Sequence, residues 1–368
     1  MENENVSIKM KVADVRPNCI LARDVVTKTG VVILAKNTMI NNVNFTKIEQ
    51  ANIKSIYVWE DSVDDTLSPF KQKEVHTIEK QSKLVSDKPE FKAFSGTYTE
   101  NLDETKDILN NIGNGGDINK DELFSITKGI MDKINCKSDI FTYLSNLKTV
   151  NDYTYSHCLN VSLLCNMFSK WLNLPEEETE DLTVAGLLHD IGKLKIDQNI
   201  LNKKGKLSEA EFEEIKKHTT LGYEIIKDAD IPESVKDAVL MHHEKINGTG
   251  YPRGLKGDEI SKYAKIVSIC DIYDAMTSDR AYRERFCPFH VIRNFERQNF
   301  SILDTQYLLV FLQNIAYTYV GSWVKLTNGE TAEIIFINQS QMSRPIVKTE
   351  NDFIDLSKRL DLDIESLI

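Results

Sequence analysis

Histidine is the residue type that most constrains this chain, because five of its seven histidines lie between Tyr153 and Arg283. They are His157, His189, His218, His242 and His243. One histidine alone usually packs in a core or lies at the surface, but five in a segment that also carries Asp190 and Asp271 favour a metal site. Neutral imidazoles with carboxylates suit borderline divalent ions. The segment must therefore fold so that these side chains converge, and the pattern predicts a metal-dependent hydrolase.

The stretch from Asp181 to Lys193 contains two of these residues at the end of a predicted helix. Its apolar residues recur at helical spacing and predict a buried stripe. They are Leu182, Val184, Ala185, Leu187 and Leu188. His189 and Asp190 follow just before Gly192, and two adjacent polar groups buried there are costly unless something binds them. A metal ion would satisfy both.

An ordered set of motifs carries a family resemblance. The set is His157, His189-Asp190-Ile-Gly-Lys193, His218, His242-His243-Glu244, Asn247-Gly-Thr-Gly-Tyr251-Pro252, Asp271 and Arg280-Ala-Tyr-Arg283. In order, spacing and residue type, residues 123–299 resemble the HD-GYP family, a branch of the HD phosphohydrolases whose members hydrolyse cyclic di-GMP. The resemblance implies hydrolysis of cyclic di-GMP to linear pGpG, with GMP as a possible further product.

The resemblance also implies a ligand set for two divalent ions, iron or manganese. One ion would take His157, His189, Asp190 and Asp271, and Asp190 would bridge to the second. The second ion would take His218, His242 and His243 besides Asp190. Two cations a few ångströms apart lower the pKa of a bridging water and neutralise charge on phosphoryl oxygens. The expected mechanism is therefore attack by a metal-activated bridging hydroxide, with Asp190 and Lys193 as the catalytic residues.

An anionic dinucleotide also requires local cations. Lys193, Arg253, Arg280 and Arg283 lie beside the metal motifs, and guanidinium groups bind phosphate oxygens with two hydrogen bonds. Tyr251 in the glycine-rich loop could stack on a guanine or donate a hydrogen bond. These five are the predicted substrate-binding residues.

Tyr153 marks a departure from some family members. Those members bind a third ion through a glutamate four residues before the first histidine, and this chain has Tyr153 there. Asp152 is adjacent but would point about 100° away on a helix. A two-metal site is the prediction.

Net charge limits the partners. The formal charge of −11 argues against binding to DNA or RNA polymers, which would be repelled over most of the surface. No apolar run approaches the length of a membrane span, and the chain begins without a signal-peptide pattern, so a cytoplasmic location is expected. The six cysteines lack the short paired spacing of a zinc ribbon. A homodimer is left open.

Four regions are predicted. Residues 1–60 form a small α+β accessory domain, with strands Ile8–Val12, Ile20–Val26, Val31–Leu34 and Ser55–Trp59 and a helix over residues 41–51. Residues 61–100 are polar and read as a linker that could contain a helix. Residues 101–320 are expected to be an all-α catalytic bundle. Residues 321–368 are expected to contain a short β hairpin turned at Asn328-Gly329.

Three functions remain open from the sequence. The chain could hydrolyse cyclic di-GMP, hydrolyse another cyclic dinucleotide such as cyclic GMP-AMP, or act as a weakly catalytic sensor that signals through a protein partner. The complete set of metal motifs disfavours the sensor. Glu244 and Asp274 could either orient a histidine or water, or be ordinary surface acids.

Overall fold

A computed structural model describes residues 6–16, 18–26, 32–40, 44–45, 48, 53–63, 85, 88–134, 139–147, 153–203, 205–278, 285–350 and 352–368. The chain divides into two compact units, residues 1–81 and residues 82–368. No helix in these ranges combines the length and the apolar character that a membrane span requires. The cytoplasmic location stays a prediction.

The N-terminal unit is built from short antiparallel strand pairs. β1 (Ser7–Lys11) pairs with β4 (Ser55–Trp59), and β2 (Val25–Val26) pairs with β3 (Val32–Leu34). Most of the strand predicted over residues 20–26 is instead irregular, with isolated bridges at Ile20 and Leu21. The predicted helix over residues 41–51 falls largely outside the described residues, of which 44, 45 and 48 are helical.

The predicted linker over residues 61–100 is wrong at its C-terminal end. Residues 89–100 belong to the helix α1 (Pro89–Gly113), which Pro89 opens at a first-turn position that needs no amide hydrogen. Phe91, Phe94 and Tyr98 are buried in the core of the second unit. Most of the preceding linker, residues 64–84, lies outside the described residues.

The described part of the second unit contains eleven further α-helices, as the prediction of a helical bundle requires. They are α2 (Lys120–Lys133), α3 (Asp139–Leu144), α4 (Tyr153–Trp171), α5 (Glu176–Leu188), α6 (Gln198–Leu201), α7 (Glu209–Lys216), α8 (His218–Ile226), α9 (Glu233–Met241), α10 (Lys262–Thr277), α11 (Pro288–Asn294) and α12 (Thr305–Thr318). In α4 every residue from His157 to Ser169 is buried, and in α5 the predicted stripe from Leu182 to Leu188 is buried. Helices buried on all sides lie at the centre of a bundle.

The C-terminal region forms a five-stranded antiparallel sheet rather than a single hairpin. The strands are β5 (Trp323–Leu326), β6 (Thr331–Phe336), β7 (Ile346–Lys348), β8 (Phe353–Asp355) and β9 (Ile364–Leu367), in the order β8-β7-β6-β5-β9. The β5–β6 turn at Asn328-Gly329 is confirmed, with Gly329 at φ +86°. β7 and β8 are three residues long, too short for alternation to reveal them. Val324, Leu326 and Ile334 join the hydrophobic core of the helices.

Candidate metal centre

The predicted metal ligands come from five places in the helical bundle. These are the second turn of α4, the C-terminal end of α5, the first residue of α8, the turn after α9, and α10. In that order the residues are His157, His189 with Asp190, His218, His242 with His243, and Asp271. Each backbone position is set by a helix that is buried against its neighbours, so the side chains start from rigid supports.

Gly192 allows the turn after Asp190 to pack against the start of α8. It lies in the 3₁₀ turn Ile191–Lys195, directly after Asp190. A Cβ atom at this position would stand 1.9 Å from the carbonyl oxygen of His218 and 2.5 Å from the amide nitrogen of Gly222. Only a glycine permits this backbone contact, which brings the start of α8 beside Asp190.

The ligand atoms form two clusters. In one, the atoms of Asp190, His218, His242 and His243 all lie within 4.8 Å of one another. In the other, those of His157, His189 and Asp271 do the same. The structure thus brings the seven predicted ligands into two neighbouring groups, and their role as metal ligands stays a prediction.

Asp190 lies between the clusters, and its two oxygens face opposite ways. Oδ1 is 3.4 Å from His218 Nε2 and 3.9 Å from His242 Nε2. Oδ2 is 3.3 Å from His189 Nε2 and 3.6 Å from His157 Nε2. A carboxylate in this position can bind one cation through each oxygen.

Four of the histidines are oriented by a hydrogen bond at Nδ1. The Nδ1–H groups of His189, His218 and His242 donate to carbonyl oxygens of the preceding helical turn, at 2.8, 2.7 and 3.0 Å. The Nδ1–H of His157 donates to Asp274 Oδ2 at 2.7 Å. Nε2 of each ring therefore faces the cluster, and it offers the lone pair that metal binding requires when the ring is uncharged. Asp274 is buried, so its role is to orient a histidine and the surface alternative is excluded.

Burial keeps the three histidines of the Asp190 cluster uncharged. It lowers the pKa of His218 to about 4, that of His243 to about 3, and that of His242 well below its usual range. These imidazoles are uncharged at neutral pH, with a single ring proton, and can act as ligands.

His157, in the other cluster, has the opposite shift. Burial lowers its pKa, but hydrogen bonds to Asp271 and Asp274 outweigh burial and raise it to about 9. Burial alone would raise the pKa of Asp190, yet Lys193 and His189 hold it well below its ordinary value. The carboxylate is therefore ionised and ready to bind cations.

The predicted substrate-binding residues have different placements. Lys193 Nζ lies 2.5 Å from Asp190 Oδ2 and is partly exposed. The ring of Tyr251 lies 4.8 Å from the ring of His243, centre to centre. Arg253 is exposed, with its guanidinium close enough to influence Asp237. Arg280 and Arg283 lie outside the described residues.

The glycine-rich loop is fastened by Glu244, which is 3% exposed. Its Oε1 accepts from the amides of Arg253 at 2.6 Å and Gly254 at 3.1 Å, and its Oε2 accepts from that of Leu255 at 2.9 Å. Because Glu244 follows His243 directly, one short segment supplies two candidate ligands and the anchor of the loop.

Three residues that lie near the candidate centre or connect to it could not be found from the sequence. Lys216 Nζ lies 5.6 Å from the centre of the Tyr251 ring and adds a cation beside the loop. Tyr98 and Asn160 connect to Asp274 through buried hydrogen bonds. A lysine on a helix surface, or a tyrosine within a helix, is too common to stand out in a single sequence.

Tyr153 stacks on the candidate ligand His157, at the position where the predicted third-metal glutamate is missing. Its ring lies parallel to that of His157, 5.5 Å away and inclined by 12°. An aromatic ring in this place offers no carboxylate for a third ion. The two-metal arrangement stays a prediction.

Comparison with known proteins finds relatives of the segment that carries the two clusters. Residues 130–301 match the HD domain family. The chain is 36% identical over 206 residues to the cyclic di-GMP phosphodiesterase PA4108 of Pseudomonas aeruginosa, covering 56% of this chain and 50% of the relative. It is 38% identical over 131 residues to the 3'3'-cGAMP-specific phosphodiesterase 3 of Vibrio cholerae, covering 36% of this chain and 28% of the relative. The chain thus spans half or less of these relatives.

A solved structure shows the same fold. It is that of Bd1817, an HDG"Y"P protein of Bdellovibrio bacteriovorus, with 15% identity and a TM-score of 0.50 over 83% of this chain and 98% of the other. The family match and the ordered histidine and glycine motifs fall on the same part of the chain, and residues 130–301 are therefore similar to HD domains of the HD-GYP type.

Proposed function

We propose that this protein is a metal-dependent phosphodiesterase that hydrolyses cyclic di-GMP to linear pGpG, with GMP as a further product. The observation that carries the proposal is the position of Asp190, whose oxygens face two separate histidine clusters. The relative in Pseudomonas aeruginosa is named a cyclic di-GMP phosphodiesterase, which supports the proposed substrate.

The donor set fits two divalent ions. His189 Nε2 and Asp190 Oδ1 are buried and make no hydrogen bond, which a bound cation would offset. The first ion would be held by His157, His189, Asp190 and Asp271, and the second by Asp190, His218, His242 and His243. Imidazole and carboxylate donors suit iron or manganese. Such a pair, when bound, activates a water and neutralises charge on the phosphoryl oxygens.

The chain's own residues would hold the substrate and the leaving group. Burial lowers the pKa of Lys193, but Asp190 outweighs burial and raises it, so the amine is a cation at neutral pH. In the proposed reaction the water oxygen bonds to phosphorus, the bond from phosphorus to the 3′ oxygen breaks, and that oxygen gains a proton. Lys193 would donate a hydrogen bond to it. Tyr251 would stack on a base, while Arg253, Arg280 and Arg283 stay predicted phosphate contacts.

A second substrate is favoured by one observation. A relative in Vibrio cholerae is named as specific for 3'3'-cGAMP, and the two substrates differ in one base. The alternative is therefore hydrolysis of another cyclic dinucleotide at the same centre. A catalytically weak sensor acting through a protein partner is disfavoured because all seven donors converge.

The test uses metal-loaded protein with cyclic di-GMP, 3'3'-cGAMP and cyclic di-AMP, and separates the products by chromatography. We expect cleavage of cyclic di-GMP, loss of cleavage on chelation, and loss in Asp190→Asn, where one oxygen becomes an amide donor that cannot bind a cation. Asp181→Asn is the matched control, since Asp181 is also buried in this region but pairs with Lys120 at 2.8 Å. Undiminished turnover in Asp190→Asn would contradict the proposal.

A further inference from the structure

A chain of buried hydrogen bonds links α1 to the metal centre. The Tyr98 hydroxyl donates to Asn160 Oδ1 at 2.7 Å, and Asn160 Nδ2 donates to Asp274 Oδ1 at 2.9 Å. Asp274 Oδ2 accepts from Nδ1 of His157 at 2.7 Å. Three consecutive links therefore join a tyrosine outside the matched HD region to a candidate metal ligand.

Each hydrogen bond of this network has a defined donor and a defined acceptor. Asp274 only accepts, so the Asn160 amide must turn its NH₂ group toward it and its oxygen toward Tyr98. That oxygen then receives the tyrosine hydroxyl proton. Ser278 adds a second donor to Asp274 Oδ1 at 2.8 Å. The Tyr98 hydroxyl has a second, longer acceptor in the carbonyl oxygen of Ser156 at 3.4 Å. The hydrogen bonds to Asp274 fix the rotamers of Asn160 and Asp274 and orient the His157 ring.

Packing fixes the first member of the chain. Tyr98 is 2% exposed, and its ring centre lies 5.8 Å from that of Phe94, one helical turn earlier on α1. Phe94 in turn lies 5.1 Å from the ring of Tyr143. The hydroxyl thus reaches Asn160 from a ring that the core holds in place.

We infer that Tyr98 is a positioning residue of the metal centre, which acts through Asn160 and Asp274 to hold His157 toward its ion. The inference rests on the proposed function insofar as His157 must bind a metal. Tyr98 itself touches neither metal nor substrate. Loss of its hydroxyl should therefore lower the affinity for one ion without altering substrate binding.

The chain offers a matched control in Tyr155. Its hydroxyl donates to Asn110 Oδ1 at 2.7 Å and so joins the same two helices, α4 and α1, through the same pair of groups. Among the hydrogen bonds of the described residues, this pair does not continue to Asp274. Tyr155→Phe and Tyr98→Phe each remove one hydroxyl, and urea unfolding measures the stability that each change costs.

The experiment titrates metal-free protein with Mn²⁺ and counts free ion by electron paramagnetic resonance. In Tyr98→Phe we expect the dissociation constant of one ion to rise about 3- to 10-fold, the scale of one net hydrogen bond, with the other ion unaffected. Asp274→Asn, the direct partner of His157, should raise it about 10- to 100-fold. Tyr155→Phe should leave both constants unchanged. Turnover of Tyr98→Phe should fall at limiting Mn²⁺, keep its KM, and recover in excess Mn²⁺.

Equal Mn²⁺ affinities in Tyr98→Phe and Tyr155→Phe would overturn the inference, as would a fall in turnover that excess metal does not restore. If Tyr98→Phe does not fold, Asn160→Ser removes the hydrogen bond between Tyr98 and Asn160 from the α4 side. The same change in Mn²⁺ affinity is then expected, and its absence would overturn the inference. A wild type that binds Mn²⁺ but cleaves no cyclic dinucleotide would refute the proposed function, while the affinities would still decide the role of Tyr98.

Discussion

The anchor of the glycine-rich loop supports a quantitative prediction, tested by the change Glu244→Gln. In the wild type one buried carboxylate accepts three amide hydrogen bonds, two at Oε1 and one at Oε2. The glutamine can keep the two bonds at Oε1 as neutral ones, but its NH₂ group then faces the amide of Leu255, donor against donor.

The magnitude follows from the bonds lost. A hydrogen bond to a charged group is worth about 1.5–3 kcal/mol and a neutral one about 1 kcal/mol. Losing one charged bond and weakening two gives an upper limit of about 7 kcal/mol, and relaxation of the loop reduces the expected loss to about 2–4 kcal/mol. The loop should also open more often, so that hydrogen exchange at residues 253–255 becomes faster.

The assay is urea unfolding of the metal-free chain at pH 7.5, with the midpoint compared at constant slope. Glu259→Gln is the control, because Glu259 lies in the adjoining segment, is exposed, and accepts a single amide bond from Lys256 at 2.8 Å. That change should cost less than about 1 kcal/mol. If Glu244→Gln unfolds at the same urea concentration as Glu259→Gln, the carboxylate does not hold the loop and the reasoning is refuted.

Three further predictions concern the centre itself. Gly192→Ala should destabilise the protein by about 3 kcal/mol, because its Cβ would meet the His218 carbonyl, whereas Gly96→Ala, with open space around it, should cost nothing; thermal unfolding of both compares them. The pKa of His157 is about 9, so its stabilising contribution in the metal-free protein is complete below about pH 6.5 and is lost as the pH rises through 9. Metal binding at pH 7.5 should accordingly release about one proton from it, and titration calorimetry in two buffers of different ionisation enthalpy would contradict this if it detects none. Lys193→Ala should lower kcat more than it raises KM, and steady-state kinetics showing only a raised KM would exclude a role at the leaving group.

Much of the centre could be predicted from the sequence because its signals are local. Histidine next to aspartate at the end of an apolar helical stripe, two adjacent histidines, and a glycine-rich loop each mark a short segment, and their order carries the family resemblance. The Asn328-Gly329 turn was predictable for the same reason. The linker end was not, because the polar residues of α1 conceal its buried face of Phe91, Phe94 and Tyr98.

Other features depend on contacts between residues far apart in the chain. Asp274 meets His157 across 117 positions, and Tyr98 meets Asn160 across 62. Neither pair has a spacing that a helix or strand period could reveal. The two-sided position of Asp190 likewise depends on the packing of α8 against Gly192. The sequence by itself therefore determined which side chains could bind metal and which segments carry them. Only the tertiary structure decided which oxygen faces which histidine and which buried donors hold them, because those distances are set by the packing of whole helices.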